Sequence, residues 1–261
     1  MNPSKDIRTM VRERYARAAK GGSLCCGPSC CGPDVNQIAQ QIGYRAEDLA
    51  LLPEGANLGL GCGNPLKHAA LQPGETVLDL GSGAGVDCLL AAHAVGPKGR
   101  VIGVDMTPAM IEKARANAQS AGLANVEFRL GEIEHLPAAD NSVDVVISNC
   151  VINLSPDKGQ VFREAVRVLK PGGRLLVSDL VLRRPLSERL KNSVEAYVGC
   201  VAGALLKEDY LQAAREAGFA GVEVLEERTY DIEIESVSAD LREEALASVV
   251  SIKVRGTKPA R

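Results

Sequence analysis

The sequence predicts an α/β fold: a doubly wound, mostly parallel seven-stranded sheet with an antiparallel edge strand and helical and cysteine-loop additions. Three observations carry that expectation. From Thr76 to Leu182 strand-like apolar runs alternate with helical patterns, as in parallel strands joined by crossover helices. The first run, Val77-Leu78-Asp79-Leu80, enters a glycine-dense turn, Gly81-Ser82-Gly83-Ala84-Gly85, and an apolar helical segment leaves it, so that a helix N-terminus points at a ligand. Near the C-terminus two long alternating segments, Val222–Ile234 and Ala247–Val254, fit an antiparallel pair completing the sheet edge.

Taken in order, Lys5 to Ala19 spaces Ile7, Met10, Val11, Tyr15 and Ala18 as one apolar stripe and predicts an amphipathic helix lying on the domain. The stretch from Gly21 to Pro33 is too rich in Gly, Pro and Ser for regular structure; it is expected to be a mobile loop carrying two vicinal pairs, Cys25/Cys26 and Cys30/Cys31. A helical stretch around Gln37 to Leu51 leads to a second irregular piece, Asn57 to Pro65. Strands are then expected at Val77–Leu80, Val101–Val104, Val126–Leu130, Val143–Ser148 and Arg174–Leu182, and helices at Val86–Ala94, Pro108–Gly122 and Asp157–Leu169, with Pro171-Gly172-Gly173 turning into the fifth strand. Beyond Pro185, helices are expected at Ser187–Leu205 and Lys207–Ala217. The chain divides into an N-terminal helix and cysteine-rich region (1–66), a ligand-binding core (67–182) and a C-terminal set of helices and edge strands (183–261).

With 261 residues, 46% of them hydrophobic, the chain supports one large domain with additions. A formal charge of −3 leaves no electrostatic footprint for nucleic acid, and no Trp, three Phe and five Tyr leave few rings for a base-stacking surface. No apolar run reaches the roughly 18 residues a membrane span needs. Met1 to Lys20 is charged throughout, unlike a signal peptide. The expectation is a cytoplasmic monomer, off the membrane, whose eight cysteines are reduced thiols and not a disulfide framework.

The glycines at 81, 83 and 85 depart from a dinucleotide loop, which would place its third glycine at 86, where Val86 stands. The second strand ends in Asp105, where a carboxylate can accept both hydroxyls of a ribose; it would repel a 2′-phosphate and suits an adenosyl group.

These residues resemble the class I S-adenosylmethionine-dependent methyltransferases, a Rossmann-like fold. Asp79 to Gly85 is similar to their first motif, Asp105 to their ribose-binding acid, Gly131-Glu132-Ile133-Glu134-His135-Leu136-Pro137 to their adenine loop, and Leu169-Lys170-Pro171-Gly172-Gly173 to their turn before the fifth strand. The resemblance implies S-adenosylmethionine as cofactor. Asp79, Gly81, Ser82, Gly83, Gly85 and Asp87 would then lie around its methionine portion, Asp105 on its ribose, and Met106, Thr107, Ile133 and Glu134 about its adenine, with Asn149 close by. Glycines allow the backbone to approach where a Cβ would clash. Ser82 and Asp87 have an alternative role as caps of the following helix, and Thr107, preceding Pro108, as cap of the next.

Chemistry in an open α/β sheet happens beyond the carboxyl ends of the strands. The fourth strand delivers Ser148-Asn149-Cys150-Val151-Ile152-Asn153-Leu154 to that edge, and Cys62 and Cys200 each sit among glycines that leave room at sulfur. The whole set resembles the arsenite S-adenosylmethionine methyltransferases: the seven residues around Cys150 match that family's signature, and Cys62 and Cys200 stand in its other cysteine positions. The resemblance implies that Cys62, Cys150 and Cys200 bind trivalent arsenic, Cys150 and Cys200 as indispensable ligands, with a partner among the N-terminal cysteines, Cys26 or Cys31. Cys88 is expected to be a small packing residue, and His68, His93 and His135 are scattered and assigned no chemistry.

Thiolates select a soft ion such as arsenic(III) over hard ones, and arsenic binding itself displaces the thiol protons. The nucleophile carries no proton, so no general base is needed. Transient disulfides, reset by thioredoxin or glutathione, would return arsenic to the trivalent state. Three rivals stand beside this reading: a C- or O-methyltransferase of a small organic acceptor, an arsenic-binding sensor, and a zinc site at the N-terminal cysteines, where adjacent doublets suit tetrahedral zinc poorly.

Overall fold

The computed structural model describes residues 3–21, 35–193, 196–197, 199–229 and 238–260. At its centre the strands β1 (Thr76–Leu80), β2 (Arg100–Asp105), β3 (Val126–Leu130), β4 (Val143–Asn149), β5 (Leu169–Leu182), β6 (Ala220–Thr229) and β7 (Val249–Thr257) form one sheet in the order β3-β2-β1-β4-β5-β7-β6. The pairs among β1 to β5 are parallel, with Leu80 opposite Val104 on one side and Ser148 on the other. β7 runs antiparallel to both β5 and β6, so the antiparallel pair completes this edge with the reversed strand one place inside it. The strand order reverses between β1 and β4, which opens a crevice at their carboxyl ends.

The crossover helices follow from sequence spacing. In α6 (Lys158–Val168) the buried residues are Val161, Phe162, Ala165 and Val168, one face of a 3.6-residue period, and Asp157 caps the start by accepting from Gln160 N. α4 (Val86–Val95) is buried on almost every side and α5 (Pro108–Ser120) starts on a proline at its first turn. One apolar cluster, including Leu78, Val146 and Phe162, fills one side of the sheet, and a second, including Val77, Leu89 and Phe128, fills the other. A third, built from Val11, Leu154, Leu180, Leu186, Leu190 and Val201, surrounds Cys62 and Cys200.

Several expectations shift. The Gln37 to Leu51 stretch is two short helices, α2 (Val35–Gln41) and α3 (Ala46–Leu49); they part at Gly43, whose φ is +111°, and there Tyr44 turns inward. Ser187 to Leu205 is not one helix. α7 (Glu188–Lys191) ends early, Cys200 holds a φ of +64°, and a Cβ on Gly203 would overlap the Asn153 carbonyl, so the chain turns there to meet the β4 loop. α8 (Lys207–Glu216) lies where expected. A helix that alternation did not suggest, α9 (Ala239–Ser248), precedes β7 and takes in Ala247. The Pro171 to Gly173 turn is a bulge within β5, across which the pairing jumps from Val143 with Leu169 to Val145 with Arg174. The end of the Val222–Ile234 segment, and Cys25, Cys26, Cys30 and Cys31, lie outside the described residues. No helix among the described residues is long and apolar enough to cross a membrane.

Candidate functional site

The crevice at the switch point is a cavity open to solvent, with an empty volume of about 1050 Å³ counting its open mouth, and is roofed by α1 (Pro3–Ala19) through Arg8, Val11 and Tyr15. Of the residues expected about the cofactor, Asp79, Gly81, Ser82, Gly83, Asp87, Asp105, Met106, Thr107, Ile133, Glu134 and Asn149 line it. Gly85 does not. It is the left-handed N-cap of α4, and a Cβ there would press on the Phe128 ring, so its glycine serves packing between helix and strand. Gly81 has a φ of +67°, and a Cβ would overlap Val151 from the β4 loop.

The cavity's electrostatics are acidic. Among the described residues, Asp79, Asp87, Asp105 and Glu134 face it against one guanidinium, Arg8. Arg8 Nη2 donates to Glu134 Oε1 at 3.0 Å, and Ser155 Oγ donates to the same oxygen at 2.6 Å. Asp105 is held by two backbone donors, Thr107 N to Oδ1 at 2.8 Å and Gly83 N to Oδ2 at 3.0 Å. Burial pushes its carboxyl up, and those backbone bonds pull it back. Burial raises Asp79 well above the usual carboxylate range, with Asp87 adding to the effect. Asp87 is pushed up to about 6 by burial, offset by donation from Tyr44 Oη at 2.7 Å and Asn149 Nδ2 at 3.2 Å.

S-adenosylmethionine fits this cavity on two grounds. The clustered carboxylates suit its sulfonium and ammonium and would repel the phosphates of a dinucleotide. Ser82 Oγ is buried with no hydrogen-bond partner, as expected of a group that awaits a ligand's polar atom. It does not cap α4, and Asp87 spends its side chain on Tyr44 and Asn149. Thr107 is the N-cap residue of α5, yet its side chain makes no capping bond.

At the rim of the cavity the sulfurs of Cys62 and Cys150 are joined in a disulfide, with Cα atoms 5.8 Å apart and the two residues 88 positions apart in sequence. The expectation of reduced thiols therefore does not hold for this pair: β4 and the Gly61 to Gly63 loop are pinned so closely that their sulfurs touch. The pin is Asn149, whose Oδ1 accepts from Cys62 N at 3.2 Å while its Nδ2 donates to Gly63 O at 2.8 Å. Cys150 has a φ of +59°, and Cys200 is also left-handed, which is uncommon for a residue with a Cβ.

Cys200 Sγ donates to the Cys150 carbonyl at 3.0 Å, so the third expected cysteine arrives at the same place. Its thiol is pushed far up by burial and by Asp179, partly offset by Lys158, Arg14 and a hydrogen bond from Tyr15. The compact group of donor atoms among the described residues, however, is Cys62, Cys150 and Asp179, all within 4.8 Å of one another. Cys88 is apart, in the core, donating to Asp79 Oδ2 at 3.3 Å.

Sequence reasoning missed Arg8, Tyr15, Tyr44, Ser155 and Asp179. Tyr44 and Arg8 lie in segments with no motif. Asp179 alone left a signal, as the one charged residue in the run Leu175 to Leu182, which is apolar apart from it and Ser178.

Residues 71–218 match a family described as a methyltransferase domain. The chain is 49% identical to an arsenite methyltransferase of Halobacterium salinarum, over 98% of this chain and 68% of that protein. It is 39% identical to the arsenite methyltransferase of Homo sapiens, over 91% of this chain and 64% of that protein. The crystal structure of an arsenic(III) S-adenosylmethionine methyltransferase from Chlamydomonas reinhardtii superposes with a TM-score of 0.68 at 39% identity, covering 87% of this chain and 75% of that one. The chain thus spans about two thirds of the length of such relatives. An acidic cavity built for a cationic adenosyl ligand, sulfurs gathered at its rim, and similarity along nearly the whole sequence lead to one conclusion: this chain belongs to the arsenite methyltransferase family.

Proposed function

We propose that this protein methylates arsenic(III) held by Cys62, Cys150 and Cys200, with S-adenosylmethionine as methyl donor, in arsenic detoxification. The observation that carries the reading is the meeting of Cys62, Cys150 and the Cys200 thiol at the rim of the acidic cavity.

When bound, S-adenosylmethionine supplies an electrophilic methyl group on a sulfonium. Asp79 and Asp87 offer negative charge to its cationic ends, Ser82 Oγ an unspent hydroxyl, Asp105 an acceptor for the ribose, and Met106 and Ile133 apolar surface for the adenine. Arg8 neutralises Glu134 and keeps α1 over the cavity, which limits water.

The thiolates exchange for the hydroxyls of arsenite, each thiol proton leaving with a hydroxide as water, and arsenic keeps its lone pair on the open apex. Fixing that lone pair towards the methyl is where the catalytic gain lies, at best about 7–11 kcal/mol from orientation. Methylation raises arsenic to the pentavalent state. Two cysteine thiols then give up two electrons and become a disulfide as arsenic returns to the trivalent state. The Cys62–Cys150 pair is poised for this, and thioredoxin or glutathione resets it by thiol–disulfide exchange.

The test is to incubate the protein with arsenite, S-adenosylmethionine and a thiol, and to follow methylated arsenic by chromatography with elemental detection. Production of methylarsenicals together with S-adenosylhomocysteine supports the reading. Consumption of cofactor with a quinone-like acceptor and not with arsenite would replace it, as would a Cys150→Ser variant working at the parent rate.

A further inference from the structure

The proposed reaction leaves Asp179 without a task. Its side chain is wholly buried, and among the described residues it forms no ion pair, yet a carboxylate oxygen lies within 4.8 Å of both the Cys62 and Cys150 sulfurs. Buried carboxylates are normally matched by a cation or a metal. Here Lys158, the ammonium whose charge is felt there, directs its donors to the carbonyls of Asn153, at 3.3 Å, and Ser155, at 3.0 Å.

The carboxylate is also aimed. Oδ1 accepts from Asn153 Nδ2 at 2.8 Å and Leu180 N at 2.9 Å, and Oδ2 accepts from Tyr210 Oη at 3.0 Å. Asn153 and Tyr210 are themselves buried and cannot swing away. Cys200, meanwhile, spends its S–H on the Cys150 carbonyl. The compact donor group among the described residues is thus the two sulfurs and one carboxylate oxygen, a set unlike the all-sulfur one.

We propose that Asp179 forms the third face of the arsenic site: after Cys62 and Cys150 capture arsenic(III) through sulfur, Asp179 accepts a hydrogen bond from the one hydroxyl that arsenic retains. This rests on the arsenite reading above. A dithiol first reduces the Cys62–Cys150 disulfide and is itself oxidised to a disulfide. Arsenite then exchanges two of its three hydroxyls: two As–S bonds form, two As–O bonds break, and both thiol protons depart in water, with no change in oxidation state. The remaining As–OH faces Asp179 until the Cys200 thiol displaces it, again as water. The carboxylate therefore favours an inorganic metalloid hydroxide. An organoarsenical carrying one carbon substituent has no hydroxyl left once two thiolates hold it.

That difference supplies the test. The protein carrying Cys25→Ser, Cys26→Ser, Cys30→Ser, Cys31→Ser and Cys200→Ser, in which arsenic held by two sulfurs keeps its hydroxyl, is reduced, and its affinities for arsenite and for phenylarsine oxide are measured without cofactor. In Asp179→Asn the two N–H donors on Oδ1 keep the amide oxygen there, so an N–H takes the place of Oδ2. Arsenite affinity is expected to fall about tenfold or more, as for a lost hydrogen bond to a charged acceptor. Phenylarsine oxide affinity stays within about twofold, which also shows that the fold is intact. With Cys200 restored, its thiol displaces the hydroxyl and the Asp179→Asn effect on arsenite affinity should shrink. Equal weakening of both arsenicals would make Asp179 merely structural, and unchanged arsenite affinity would remove its role; either result overturns the inference and spares the arsenite reading. Failure of the reduced parent to bind arsenite at all would overturn both.

Discussion

Asn149 grips the Cys62 loop from both sides, taking the Cys62 N–H on Oδ1 at 3.2 Å and giving Nδ2 to the Gly63 carbonyl at 2.8 Å. One amide thereby sets the distance between two sulfurs that come from segments far apart in the chain. Gly61 leaves room for it, since a Cβ there would lie 2.9 Å from Asn149 Nδ2. Asn149→Ala should lower stability by about 1–3 kcal/mol through the stranded backbone groups. It should also slow closure of the Cys62–Cys150 disulfide. Denaturant unfolding and the time course of thiol loss after reductant removal check both.

Gly81→Ala should impair cofactor binding with less effect on the sulfur pair. The new methyl meets Val151 at a backbone φ of +67°, so strain of about 1–3 kcal/mol is expected. The readout is the rise in melting temperature on adding S-adenosylhomocysteine, which should shrink or vanish.

Asp87 gives a pH dependence with a definite sign. Its folded-state pKa is raised to about 6, so the protonated carboxyl is favoured in the free protein below that value. Stability from this group is fully present below the unfolded carboxylate range and is lost as pH rises through about 6. Affinity for the cationic cofactor runs the other way, strengthening as Asp87 ionises and levelling off above about 6. Titration of binding between about pH 5 and pH 8 should show this step in the parent and not in Asp87→Asn.

Reduction should trade stability for activity. By the chain-entropy argument, a crosslink spanning 88 residues stabilises by about 4–5 kcal/mol at most. A reductant should lower the unfolding midpoint while switching on arsenite methylation. Cys150→Ser should melt like the reduced parent and stay inactive.

Arg8 ties α1 to the cavity through Glu134, whose side chain is only 6% exposed. Among the described residues, Arg8→Ala leaves that carboxylate with the Ser155 hydroxyl as its side-chain partner, which should weaken cofactor affinity several-fold and speed amide exchange along α1. Deuterium uptake with and without S-adenosylhomocysteine is the measurement.

The sheet was legible because its signals are local. Val77 to Leu80 and Val143 to Ser148 are apolar runs with turn residues at their ends, and parallel pairing follows from the helices between them. The region from Ser187 to Leu205 was not, because helical spacing is overridden where Gly203 packs on the Asn153 carbonyl and Cys200 turns left-handed. Among the site residues, the glycine loop and Asp105 stand in a recognisable pattern. Tyr44 and Asp179 owe their places to contacts across 43 and 26 residues, with Asp87 and Asn153 respectively, and no spacing announces such pairs.

Cys150 and Cys200 both sit on left-handed backbone, where a residue with a Cβ is disfavoured by roughly 1–2 kcal/mol. At each of these positions glycine would be the more comfortable occupant. A directed-evolution campaign rewarding heat resistance alone would therefore be drawn to discard the very atoms that capture the metalloid, and a thermally hardened descendant with glycine at either place would be a well-folded but chemically idle scaffold.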